Sequence, residues 1–307
     1  MKPLITIVLL IPLLVFSQQK SPQPYRKEIG FTTENDAYLF AKKDAYYTNG
    51  FFVSFRFSEE KKTRKIMHAF ELGQMIFTPL VRKTSGPQDI DRPYCGYLSL
   101  KYTHTSFSGN NTVLGYGVSL GQVGEASGGE AVQNTYHSLL HYAKFTGWGY
   151  QVQNAFGADL SFTYGTTLWE DSAGIKLAPV AEGRLGMNFT NASIGTYLCI
   201  GHFAKNRNSI LWRAGAGEGK VTELFFFWYP QLIWQGYNAT VQGGLLHKGT
   251  GAVLGKTEPW MYQHSIGLCV AAGRWSSRIA YIYQGKEAIS QTMPQEYGSI
   301  QVNYRLH

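Results

Sequence analysis

Three groups of polar residues carry the types and spacings that chemistry needs. The first is Glu34-Asn35-Asp36, followed after one short loop by Tyr46-Tyr47-Thr48-Asn49-Gly50. Carboxylate, amide and hydroxyl oxygens converging from two such segments suit a hard cation such as Ca²⁺. The same residue types also build turns, so plain loop chemistry accounts for them equally. The second group lies in 129–145, GEAVQNTYHSLLHYAKF, the best helix candidate past the N-terminal segment, where Gln133, His137 and His141 are spaced four apart. A histidine near neutral pKa can serve as a general base. A zinc pair would need a third ligand and lacks the H-E-x-x-H pattern, while a solvated helix face explains the spacing without any chemistry. The third group, Arg82-Lys83 with Asp91-Arg92-Pro93-Tyr94, suits phosphate groups, or an ordinary loop with ion pairs. Neither the G-x-S-x-G elbow nor the G-x-x-x-x-G-K-[ST] phosphate loop occurs, so a serine hydrolase or a P-loop nucleotide site is not indicated.

The elements that must position these groups are strands. Period-two alternation recurs along the chain: Phe51, Val53, Phe55 and Phe57 oppose Ser54, Arg56 and Ser58, and Leu114, Tyr116, Val118 and Leu120 oppose Gly115, Gly117, Ser119 and Gly121. Twelve strand-like segments lie near 27–34, 50–58, 69–77, 97–107, 112–122, 151–169, 175–188, 191–203, 221–240, 260–275, 277–285 and 297–306. Only 16% of the 307 residues are charged, against 15% aromatic and 34 glycines, and mean hydropathy is -0.19. These values exclude a bundle of membrane helices and, despite a net charge of +8, a nucleic-acid-binding or disordered chain.

A soluble β-sandwich and a membrane barrel remain, and the polar face decides between them. It is mostly Gly, Ser, Thr, Asn and Gln with little Lys or Glu, which suits a crowded lumen, while the aromatic-rich face suits lipid. Leu224 to Tyr229, apolar on both sides, fits an aromatic girdle. The expectation is an all-β, 12-stranded antiparallel transmembrane β-barrel over 19–307, carrying a short helix in an extracellular loop. It is preceded by a signal peptide over 1–18, read from one lysine, an apolar run and small polar residues. Thr78 to Gly96 and Val123 to Tyr150 stand out as long connections, and Cys199 and Cys269 read as small apolar fillers.

The ordered series Glu34-Asn35-Asp36, Tyr47-Thr48-Asn49-Gly50, Asp91-Arg92-Pro93-Tyr94, Gly128-Gly129-Glu130 with Gln133 and His137, and Gly147-Trp148 with Gln151 resembles the LpxR family of outer-membrane lipid A 3′-O-deacylases. The resemblance implies a site between the barrel wall and a helical outer loop, facing the outer leaflet of the bacterial outer membrane. It implies His137 as general base, with Asn35, Asp36, Thr48 and Gln133 around it. It also implies Ca²⁺ on Asp36 and Asn35; a carboxylate that the family carries falls at Ala143-Lys144 here, so either Glu34 or Glu130 replaces it or calcium binding is altered. Arg82 and Lys83 lie near where the family places basic residues for a phosphate of lipid A, the implied substrate. From another class, the alternative is a non-enzymatic barrel, a channel or structural protein with a decayed site.

Overall fold

The computed structural model describes residues 24–39, 46–61, 63–109, 111–139, 141, 143–217, 222–246 and 249–307. The signal-peptide expectation lies outside the described residues. Twelve antiparallel strands run in chain order: β1 Lys27–Asn35, β2 Tyr46–Glu60, β3 Arg64–Thr78, β4 Cys95–Ser108, β5 Thr112–Val123, β6 Ala155–Thr166, β7 Ile175–Gly186, β8 Phe189–His202, β9 Glu223–Asn238, β10 Trp260–Ala272, β11 Trp275–Gln284 and β12 Gln295–Leu306. Each pairs with its sequence neighbours, and β1 closes the sheet on β12 from Lys27↔Leu306 to Asn35↔Gly298. A two-residue segment, Trp169–Glu170, prolongs β6 and pairs with β7. All twelve strands fall where alternation places them. A closed barrel leaves no unpaired edge. No helix among the described residues is long and apolar enough to cross a membrane.

Alternation sends Ile29, Phe31, Val53, Phe55, Leu72, Leu100, Leu114, Tyr116, Leu160 and Phe162 to the outside, where they stay exposed as an apolar wall. The lumen departs from expectation in two ways. It holds many charges, among them the Arg56–Glu28 pair at 2.9 Å and the Arg184–Asp159 pair at 2.7 Å. In a barrel this narrow such groups satisfy one another across the interior. Leu224 to Tyr229 is not a girdle on both faces: Phe225, Phe227 and Tyr229 are buried inside with Cys199 and Cys269, while Leu224, Phe226 and Trp228 face out. All three cysteines are free and buried.

One end of the barrel carries the termini and mostly tight turns; the other carries the long connections 79–94, 124–154, 239–259 and 285–294. The last two, and a segment at the opposite end, are not marked by the sequence pattern. That segment, within 203–217, folds back into the lumen, burying Ile210, Leu211, Ala214 and Ala216. Glu223 anchors it: its carboxylate accepts from Ala204 N at 2.8 Å, Ser209 Oγ at 2.6 Å and Ile210 N at 2.7 Å. Above it a cavity of about 420 Å³ remains, lined by Glu34, Arg56, Lys101, Glu182 and Arg278 among others. Glu223→Ala strands two buried donors and a half-buried one, so a loss of about 2–5 kcal/mol is expected. The measure is the temperature of the heat-induced mobility shift in detergent; an unshifted transition would show that the segment is held otherwise.

Candidate active site

The site forms where the wall is covered on both faces. At the long-loop end of β3 and β4, Phe77, Cys95 and Tyr97 pack inward with Tyr47 and Val123, while Ile76 packs outward with Ile90, Tyr94, Phe145 and Trp148. The outward cluster is the seat of a helix, α1, over Gly129–Leu139. Gly128 adopts φ +72 at its entry, a left-handed turn that glycine makes without strain. Gly129 meets Gly96 of β4 so closely that a Cβ on Gly129 would lie 2.7 Å from the Gly96 Cα. Gln74 Nε2 of β3 donates to Ser127 O at 2.6 Å just before the helix. Gly129→Val is therefore expected to lift α1 off the wall, costing about 1–3 kcal/mol of local stability. Faster backbone hydrogen exchange confined to 125–139 would register it, and unchanged exchange would refute the contact.

The helix is shorter than the expected 129–145. It ends at Leu139, and His141 is exposed at φ +59, so His141 leaves the face of His137 and the zinc pair is not made. The chain then turns back, and the Ala143 carbonyl accepts from His137 Nδ1 at 2.7 Å. A carbonyl cannot donate, so Nδ1 carries the proton and Nε2 is the basic nitrogen. His137 is 3% exposed, with the Phe145 ring 5.6 Å away. Gln133, one turn earlier, is wholly buried; its Nε2 donates to Thr48 Oγ1 at 3.5 Å, and its Oε1 has no partner. Glu130 sits in the first turn of α1, half-buried, one turn before Gln133.

Facing α1, β1 and β2 bring the other residues. Asn35 and Asn49 are cross-strand partners, and Asn35 Nδ2 donates to Asn49 Oδ1. Asn35 Oδ1 accepts from Ala37 N at 2.7 Å, holding the turn that carries the buried Asp36. Between Tyr47 and Asn49 the ladder to β3 shifts register, and Thr48 is the extra residue, its Oγ1 donating to Ile76 O at 3.3 Å. Such a bulge re-aims a side chain, here toward Gln133. Two hydrogen-bonded pairs, Asn35 with Asn49 and Thr48 with Gln133, thus come from adjacent positions of β2 on the outer side of the wall, with Asp36 next to Asn35 in the chain.

Glu34, expected among the metal oxygens, does not join them. Adjacent strand residues point to opposite faces, and Glu34 points into the lumen, accepting from Tyr47 OH at 2.7 Å and Ser299 Oγ at 3.0 Å. Among the described residues no three of His, Cys, Asp and Glu come together as a cation cradle. Of the expected oxygens, Asp36 and Asn35 lie together, and the partnerless Gln133 Oε1 is the further oxygen that a hard cation would accept.

Arg82 and Lys83 lie at the edge of the site, the Arg82 guanidinium 5.9 Å from the Phe145 ring and Lys83 exposed. Asp91-Arg92-Pro93-Tyr94 is no phosphate site but a brace for the loops. Asp91 accepts from Leu80 N at 3.0 Å and from Tyr46 OH and Thr292, and Arg92 is buried against Glu287, Thr240 and Phe77. Tyr94 packs on Trp148 at 5.2 Å and shares a hydrogen bond with Thr84 at 3.0 Å. Burial lifts the Tyr94 phenol above its ordinary value and keeps it a neutral partner there. Sequence reasoning missed Gly96, Phe145 and the Ala143 carbonyl. Only the Phe145 aromatic left a trace in the helix pattern; a backbone carbonyl leaves none.

A closed twelve-strand barrel with an apolar outer wall, and a buried polar set outside its lumen under a loop helix, defines an outer-membrane β-barrel with a wall-side site. The model of the family described as outer membrane protein LpxR matches residues 4–306, and the chain belongs to that family. Among solved structures it is similar to LpxR from Salmonella typhimurium, at 18% identity over 91% of this chain and 100% of that one, with a TM-score of 0.75. The beta domain of the Bordetella autotransporter BrkA (11% identity, 92% and 99% covered, TM-score 0.45) and the translocator domain of NalP from Neisseria meningitidis (11%, 99% and 95%, 0.42) are more distant barrels. No curated protein matches the chain.

Proposed function

We propose that this protein is a lipid A deacylase, an ester hydrolase that removes a 3′-acyloxyacyl chain from lipid A in the outer leaflet. The observation that carries the reading is His137, buried on the outer side of the wall with its tautomer set by the Ala143 carbonyl. His137 Nε2 takes a proton from water, and the oxygen of that water attacks the ester carbonyl carbon. The tetrahedral oxyanion collapses with cleavage of the acyl C–O bond. The proton returns to the departing sugar oxygen, leaving a free acid and a lipid A hydroxyl. In this reading Asn35, Asp36, Thr48 and Gln133 are the residues that line that point. Ca²⁺ held by Asp36 and Asn35, with Gln133 Oε1 as a further oxygen, would supply Lewis-acid stabilisation of the oxyanion.

Short turns on one side and long loops on the other fit the usual placement of such barrels, with the long loops outside the cell. The site then meets a substrate lodged in the outer leaflet, and Arg82 and Lys83 at its edge suit a phosphate of lipid A. The contrasting reading, a channel, has against it the 203–217 segment packed into the lumen. The test is mass spectrometry of lipid A incubated with the protein in detergent micelles, with calcium or with chelator. Loss of one acyloxyacyl unit only with calcium supports the reading; intact lipid A with calcium supplied ends it.

A further inference from the structure

We propose that Glu34 and Tyr47 are positioning residues: their hydrogen bond inside the lumen holds the β2 bulge that presents Thr48 and Asn49 to the site on the far side of the wall. The kinetic consequence rests on the hydrolase reading above; the structural one does not. Tyr47 and Asn49 are two apart and would ordinarily face the same way. The bulge at Thr48 separates them: Asn49 goes outward to Asn35, and Tyr47 goes inward to Glu34 Oε2 at 2.7 Å. The Tyr47 ring is clamped there by Phe77 at 5.3 Å and Tyr297 at 4.7 Å, and Ser299 Oγ fixes the other Glu34 oxygen at 3.0 Å.

Gly50 completes the lock, because a Cβ on it would collide with the Tyr47 hydroxyl. A bulge is a movable defect, and a one-residue slip turns every side chain to the other face. Something must pin it, and a phenol bonded to a buried carboxylate across β1 does so. In the tetrapeptide Tyr47-Thr48-Asn49-Gly50 the work is then divided residue by residue. Tyr47 anchors the bulge, Thr48 meets Gln133, Asn49 meets Asn35, and Gly50 leaves room for the anchor.

The test uses the full chain refolded in micelles, as wild type and as Tyr47→Phe, Glu34→Leu and Glu34→Gln. The first two substitutions remove the bond; the third keeps an acceptor oxygen without the charge. One readout is exchange protection of the Asn35 side-chain amide, the donor to Asn49 Oδ1, by NMR, expected in wild type and Glu34→Gln and lost in Tyr47→Phe and Glu34→Leu. The other is kinetic. Tyr47→Phe is expected to lose about tenfold or more in kcat with KM little changed, since small misplacements near the reacting atoms are costly. Glu34→Gln is expected to keep its rate and its calcium requirement. Unchanged amide protection in Tyr47→Phe overturns the proposal, as does a calcium requirement shifted by Glu34→Gln, which would make Glu34 a ligand. A wild type that hydrolyses no lipid A sinks the hydrolase reading instead, and the amide protection then decides the lock by itself.

Discussion

His137→Ala is expected to lower the rate of ester hydrolysis by about 10²–10⁴-fold, the usual contribution of a positioned general base. KM should change little, because in the proposed reaction the imidazole acts on water and not on the acyl chain. The Ala143 carbonyl sharpens the prediction. In many sites a carboxylate orients the histidine. The backbone oxygen orients the ring in its place, through the 2.7 Å contact to Nδ1. Ala143→Gly should therefore retain most activity, since the carbonyl survives, whereas His137→Gln should not. Kinetics in micelles, with the heat-induced mobility shift as a control for folding, decide the matter. A His137→Ala protein within tenfold of wild type would mean that another group activates the water.

Arg92→Ala is expected to destabilise the long-loop end by about 3–5 kcal/mol, the cost of leaving a buried ionic partner uncompensated. Arg92 is fully buried. Its Nη2 donates to Glu287 Oε2 and, at 3.0 Å, to Thr240 Oγ1; its Nη1 donates to Pro93 O at 3.3 Å; and its guanidinium lies 3.9 Å from the Phe77 ring. One side chain thus ties the loop bearing Arg82 and Tyr94 to the 239–259 and 285–294 loops. Arg92→Lys should rescue little, because a single ammonium cannot reproduce a planar fork that bonds three ways and stacks on a ring. Limited proteolysis should cut 79–94 in the variants and spare it in wild type. Equal resistance would show that the loops do not depend on this pair.

Both residues show how far the sequence reaches. The barrel was legible because alternation is local: each strand states its two faces within eight or so residues, and all twelve strands lie where those patterns place them. His137, Gln133, Asn35, Asp36 and Thr48 were singled out as candidates by an ordered motif series, which marks residues without saying what each touches. For Arg92 the series left two readings open, a phosphate or an ion pair, and the structure shows the ion pair. An arginine in a polar loop looks the same whether it awaits a phosphate or is buried against a glutamate 195 positions later.

The same limit explains Glu34. It is contiguous with Asn35 and Asp36, and adjacency in sequence suggested a shared site, but adjacent strand residues are divided by the wall itself. The lumen was misjudged because its charges are scattered singly along many strands, so each segment looks poor in charge while the closed barrel gathers them. The sequence by itself therefore determined the strand count, the two faces and the residues able to do chemistry, since these depend on residue type and on spacings of a few positions. Tertiary structure alone decided which side of the wall each residue serves and which carbonyl orients His137. It also decided that a returning segment packs into one end of the lumen, because those facts depend on bulges, turns and contacts between residues far apart in the chain.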